Sequence, residues 1–165
     1  MRSEVIAPKI EELHPSPSVH LDSPYMSKIT ALVAKMSRLR PVYMHDICTK
    51  VLHEDSVDFF YRDRTEKAGM PLEKVLEAEG GAESAFNDVA PTMKEVTALL
   101  KENTEGPYFE GNTVGYADFV WVTFLLFFKR IEQKYLDELL KRAGDADVHK
   151  KLLEATAPWY ERDTY

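Results

Sequence analysis

The sequence predicts an all-α fold, a helical bundle, on three observations. Phe119-Val120-Trp121-Val122-Thr123-Phe124-Leu125-Leu126-Phe127-Phe128 is almost wholly apolar and closes on Lys129-Arg130. Apolar residues elsewhere recur at three- and four-residue spacing, as in Ile29, Leu32, Val33, Met36 and Leu39, the period of a one-sided helix. No sustained period-two alternation marks a strand. The apolar run carries its own start signal: Asp118 follows Gly115 by three residues. With Gly115 as N-cap, the Asp118 carboxylate reaches back to an orphan backbone N–H and places negative charge at the positive end of the helix dipole. A helix apolar on every face is expected to be enclosed by others, which makes this segment the expected central pillar.

The remaining elements follow in chain order. Residues 3–13 hold a short amphipathic fragment ending at His14-Pro15, and Ser16-Pro17-Ser18-Val19-His20 reads as an extended linker because proline restricts its predecessor. The first long helix is expected from Asp22 or Ser23, with Pro24 in its first turn. Pro41 interrupts it, and a helical pattern resumes through Val42, Ile47, Val51 and Leu52. A second helix covers Asp55 to Lys67, capped by Asp55 or Ser56 and stopped by Gly69. Pro71 to Glu79 forms a helical turn closed by Gly80-Gly81. A third long helix runs from Ala82 to Lys101, kinked at Pro91. Asn103 to Asn112 is a loop into the pillar, whose helix continues from Ile131 to Arg142. Gly144 breaks it, and a last helix spans Asp147 to Ala157 ahead of Pro158-Trp159-Tyr160.

A chain of 165 residues suffices for one core. A net charge of −7 argues against nucleic acid and anionic membrane surfaces as partners. Cys48 is the sole cysteine, so no internal disulfide forms, and burial as a small inert side chain is its ordinary role. The start Met1-Arg2-Ser3-Glu4-Val5-Ile6 lacks the apolar centre of a signal peptide. Phe119–Phe128 is shorter than the ~20 residues a bilayer requires. A soluble, cytoplasmic protein is expected.

The stretch Gly106-Pro107-Tyr108-Phe109-Glu110-Gly111, followed by Tyr116-Ala117-Asp118-Phe119, resembles the sixth helix and its capping motif in the C-terminal domain of glutathione S-transferases, most closely the fungal, etherase-like group. That family places Ser or Thr where this chain has Gly115, so half of the reciprocal box is missing, which costs only a few tenths of a kcal/mol. Ser56 to Gly69, with Phe59-Phe60 and Arg64, resembles the family's second helical segment, although Thr65 separates Arg64 from Glu66. Ile10-Glu11-Glu12-Leu13-His14-Pro15-Ser16-Pro17 is similar to the end of the family's thioredoxin-like domain and its linker. The resemblance implies a division into residues 1–21, a remnant of the preceding domain's helix with its linker, and residues 22–165, the helical domain.

In this family the thioredoxin-like half binds glutathione and activates its thiol, so no catalytic residue and no cofactor are expected in this chain, and glutathione only if such a half is present. The helical half supplies the wall of the hydrophobic-substrate pocket. By position the resemblance points to Met36, Arg40, Tyr43 and Met44, an apolar wall with Arg40 or Tyr43 as polar anchor for an aromatic electrophile; core or interdomain packing is the ordinary alternative. His45 and Cys48 stand at metal-ligand spacing without a second matching pair, so no metal is expected. Glu11-Glu12 and Asp137-Glu138 read as solvated helix faces. An apolar face separated from its partner domain implies a homodimer, a separate thioredoxin-like partner or poor solubility. A non-catalytic binding or scaffold module, or a truncated product without glutathione activity, is the competing reading.

Overall fold

The computed structural model describes residues 3–161, with the side chains of Ser3 and Glu4 left aside. The sequence readings at Met1-Arg2 and in the tail beyond 161 lie outside the described residues. Among the described residues nine α-helices and one 3-10 turn follow in order: α1 (Ser3–Leu13), α2 (Pro24–Lys35), the turn Met36–Leu39, α3 (Arg40–Lys50), α4 (Glu54–Ala68), α5 (Leu72–Ala78), α6 (Gly81–Leu100), α7 (Tyr116–Ile131), α8 (Gln133–Arg142) and α9 (Ala146–Tyr160). No strand occurs among the described residues beyond two isolated bridges, Tyr108 with Gly111 and Glu110 with Thr113.

α2 begins where the sequence places it. The Ser23 hydroxyl accepts the Tyr25 N–H at 3.2 Å, with Pro24 in the first turn. Ile29, Leu32, Met36 and Leu39 are buried and Val33 is half-buried, so one apolar stripe crosses the joint between α2 and α3. That joint is the tight turn at Met36–Leu39. Pro41 follows the break directly and lies in the first turn of α3, where a missing N–H is tolerated.

Several boundaries depart from the sequence reading for local reasons. α4 is capped by His53, whose Nδ1 accepts the Asp55 N–H at 3.4 Å, rather than by Asp55 or Ser56. Gly69 ends it in the left-handed region (φ 69°). α6 is continuous through Pro91. The pillar helix stops at Ile131 because Glu132 turns extended (φ −164°), and α8 starts separately. The Glu132 carboxylate pairs with Lys50 on α3. α9 runs past Pro158 to Tyr160, whose hydroxyl donates to the Leu153 carbonyl at 3.0 Å.

α7 packs against α2, α3, α8 and α9, while α6 packs against α2, α3, α5, α8 and α9. Ala117, Asp118, Trp121, Val122, Leu125, Phe128 and Ile131 form the buried face of α7. The expectation of a fully enclosed pillar needs correction. Phe119, Val120, Phe124 and Phe127 are only partly buried and Thr123 is exposed, so α7 is a flank of the bundle with a second apolar face. Trp121 is fully buried and stacks on Phe124, centroids 5.1 Å apart.

The core also holds a polar chain. Trp121 Nε1 donates to His149 Nδ1 at 3.0 Å, and His149 Nε2 lies 2.8 Å from Thr97 Oγ1. Indole N–H is only a donor, so Nδ1 accepts and the proton sits on Nε2, which donates to Thr97. The Thr97 hydroxyl then donates to the Ala143 carbonyl at 2.7 Å. α6, α7, α9 and the turn after α8 are thereby joined inside the core. α1 stands apart: it shares no close backbone contact with another helix among the described residues. Glu11 holds the linker instead, accepting from the Ser18 hydroxyl and the Val19 N–H.

Candidate functional site

The bend between α2 and α3 turns Met36, Arg40 and Tyr43 toward the second apolar face of α7. Together with Val33, Phe124, Phe127 and Phe128 they line a groove of about 280 Å³. Met36 is buried and forms its floor, while Arg40 is exposed at its rim. The Tyr43 ring meets Phe127 edge-on at 5.1 Å and Phe128 at 5.5 Å. Phe124 lies 5.0 Å from Phe128. Such edge and tilted contacts hold each ring in one orientation, so the wall is preformed. Burial raises the Tyr43 phenol above its ordinary range, against the pull of the neighbouring Arg40, so the hydroxyl stays protonated at neutral pH and can donate.

The structure does not bring Met44 to this groove. Met44 points into a second cavity of about 480 Å³ on the other side of α3, whose walls include Arg38, Arg40, Arg64, Lys67, Leu72 and Glu79. Four helical residues of one predicted wall are thus divided between two faces. Arg40 borders both cavities. Sequence reasoning missed Val33, Phe124 and Phe127; the available signal was that α7 carries more apolar residues than one packed face uses.

Gly115 and Asp118 form the mouth of α7. Asp118 Oδ2 accepts the Gly115 N–H at 2.7 Å, and Oδ1 accepts the Phe109 N–H at 3.0 Å. The second bond, which ties the 103–113 loop to the helix, is invisible in a helix-start motif. Gly115 has no side chain, and the Asp118 N–H returns to the Gly115 carbonyl instead, at 3.1 Å. Burial raises the Asp118 carboxyl while its two N–H donors oppose the shift. Tyr116 N–H donates to the Val19 carbonyl at 2.7 Å, so the linker docks on the same mouth.

Other residues singled out by sequence take structural places. Cys48 is buried, and burial raises its thiol, which leaves it a poor nucleophile. Among the described residues no group of three or more His, Cys, Asp and Glu is placed to hold a metal. Asp46 joins Lys50 at 2.9 Å and the Tyr135 hydroxyl at 2.8 Å; burial works against its ionisation, but these two bonds outweigh it and hold the carboxyl low. The acidic pairs are not purely solvated: Glu11 binds the linker and Glu138 pairs with Arg142. No helix among the described residues is long and apolar enough to cross a membrane.

The family description glutathione S-transferase, C-terminal domain matches residues 29–159. The chain belongs to that family. It is 26% identical over 170 residues to the glutathione S-transferase-like protein ustS of Aspergillus flavus, an alignment covering 98% of this chain and 61% of that protein. This glutathione S-transferase C-terminal domain thus spans less than two thirds of the length of that curated relative. No solved structure matches the chain with significance. The matched range begins inside α2 and takes in both long-helix segments and the groove, leaving α1 and the linker outside it.

Proposed function

We propose that this chain is the helical half of a glutathione transferase, and that the groove between α2, α3 and α7 is the wall of its pocket for an apolar electrophile. The observation that carries this reading is the convergence of Met36, Tyr43, Phe124 and Phe127 on one open groove. Open rings around a preformed groove suit a pocket for an apolar ligand. Glutathione binding and thiol activation would come from a thioredoxin-like half. Support for such a half comes from α1, where Val5, Ile10 and Leu13 are each more than half exposed. Ile6, Ile10, Tyr116 and Phe119 line a further apolar cavity of about 420 Å³ beside it. Exposed apolar surface of this extent marks an interaction face.

The test joins the chain to a thioredoxin-like glutathione-binding half and follows conjugation of glutathione to an aromatic chloride. Phe127→Ser is expected to raise the electrophile KM about tenfold with the glutathione KM unchanged, because a desolvated ring contact is worth on the order of 1–3 kcal/mol. Turnover unaffected by groove substitutions refutes the reading. Binding of aromatic ligands without turnover in any such assembly identifies a binding module instead.

A further inference from the structure

The segment between α1 and α2 is tied down on two sides. Toward α1, the Glu11 carboxylate accepts the Ser18 hydroxyl at 2.5 Å and the Val19 N–H at 3.2 Å. Toward the bundle, the Val19 carbonyl accepts the N–H of Tyr116, the first residue of α7, at 2.7 Å. A helix leaves its first N–H groups without partners of its own, and here one of them is satisfied by a segment distant in the chain. His20 follows in the left-handed region (φ 54°), which a non-glycine residue adopts at a cost. Its N–H donates to the Ser18 hydroxyl oxygen at 3.1 Å, and its Nδ1 lies 3.4 Å from the Glu110 carboxylate on the 103–113 loop. Gly115 faces this segment: a Cβ built on it would stand 3.6 Å from both the Val19 carbonyl oxygen and His20 Cβ. The Gly115 backbone is extended (φ −130°), so its conformation does not require glycine. The missing side chain lets the linker lie directly on the mouth of α7.

We propose that residues 18–20 are a strap that makes the placement of α1 a determinant of the first turn of α7. Glu11 fixes Val19, and Val19 supplies an acceptor to a helix start whose N-cap has no side chain. α1 shares no close backbone contact with another helix among the described residues. Its relation to the bundle therefore runs through these polar bonds and the apolar cavity shared by Ile6, Ile10, Val19, Tyr116 and Phe119. Whatever seats on the exposed Val5, Ile10 and Leu13 of α1 then acts on α7, the helix that presents Phe124 and Phe127. Coupling of this kind is reciprocal, so fraying the first turn of α7 loosens α1. The inference concerns the chain's own segments and is independent of what fills the groove.

Native-state amide hydrogen exchange, followed by NMR on this chain, is the test. Glu11→Ala is expected to speed exchange of the Tyr116 N–H about tenfold, and that of the Asp118 N–H with it. The amides of Leu125 and Leu139, in the core, keep the wild-type rate. Glu11→Gln retains one carbonyl acceptor and gives a smaller rise. Glu11 lies on α1, outside the packed bundle, so both variants keep the fold. Adding Gly115→Ser to Glu11→Ala supplies a hydroxyl that accepts the Asp118 N–H as an N-cap does; Asp118 regains its protection and Tyr116 does not. Unchanged exchange at Tyr116 in Glu11→Ala overturns the proposal. A rise shared equally by Leu125 and Leu139 also overturns it, since Glu11 would then support the whole bundle rather than the start of α7. Recovery of Tyr116 together with Asp118 on adding Gly115→Ser has the same consequence, because a local cap would then do all that the linker does.

Discussion

The buried His149 makes stability depend on pH in a defined window. Burial lowers its pKa from the ordinary 6.5 to about 4, with Asp145 opposing. Its Nδ1 is occupied as an acceptor by Trp121, so a second ring proton would break that bond. In the unfolded chain His149 takes up a proton near pH 6.5; in the folded protein it does so only near 4. The unfolded state therefore binds more protons between these values, and stability falls as pH drops through the window. The whole difference corresponds to about 3 kcal/mol at ~1.4 kcal/mol per pKa unit. Between pH 7 and pH 4.5 the loss amounts to about 2 kcal/mol, or a fall in Tm of ~4–8 °C for a domain of this size. Carboxylates held low by partners, among them Asp46 and Asp145, add losses at lower pH, so the histidine contribution is read as a difference. His149→Asn keeps an acceptor for Trp121 and cannot titrate. Urea unfolding followed by circular dichroism at steps from pH 7 to 4.5 is the assay. The variant is less stable at neutral pH, and the gap to wild type narrows by about 2 kcal/mol on acidification. Parallel curves for the two proteins refute the neutral buried histidine on which the reasoning stands.

Two further outcomes test the architecture around the groove. Asp118→Ala leaves the Phe109 and Gly115 N–H groups buried without acceptors; a loss of about 2–5 kcal/mol is expected in chemical denaturation, with Asp118→Asn losing less because one oxygen remains. Gly106→Ala brings a Cβ into the Gly111 carbonyl and the Asn112 side chain, and because the first obstacle is backbone the loop must move, at a cost of about 1–3 kcal/mol. A Gly106→Ala protein as stable as wild type would show that the 103–113 loop adapts freely.

Local pattern made much of this protein legible. The start of α2 at Ser23-Pro24, the stop of α4 at Gly69, the buried stripe of Ile29, Leu32, Met36 and Leu39, and the Gly115–Asp118 mouth all rest on contacts within a few residues, so spacing reveals them. What spacing could not reveal were choices made between distant segments. Glu132, where α7 ends, pairs with Lys50 on α3, a contact between distant segments. Met36, Arg40, Tyr43 and Met44 looked like one wall in sequence, yet the tight turn at Met36–Leu39 sends Met44 to the opposite side of α3.

Periodicity, capping chemistry and proline geometry already fix that helices form, where most of them begin, and that α7 is apolar. Packing alone selects which face of α7 the bundle buries, brings Phe127 and Phe128 against Tyr43, and leaves Arg40 between two cavities. Those outcomes depend on how the axes of α2, α3 and α7 cross. Crossing is settled by packing among residues 80 or more positions apart, and no local pattern of side chains encodes it.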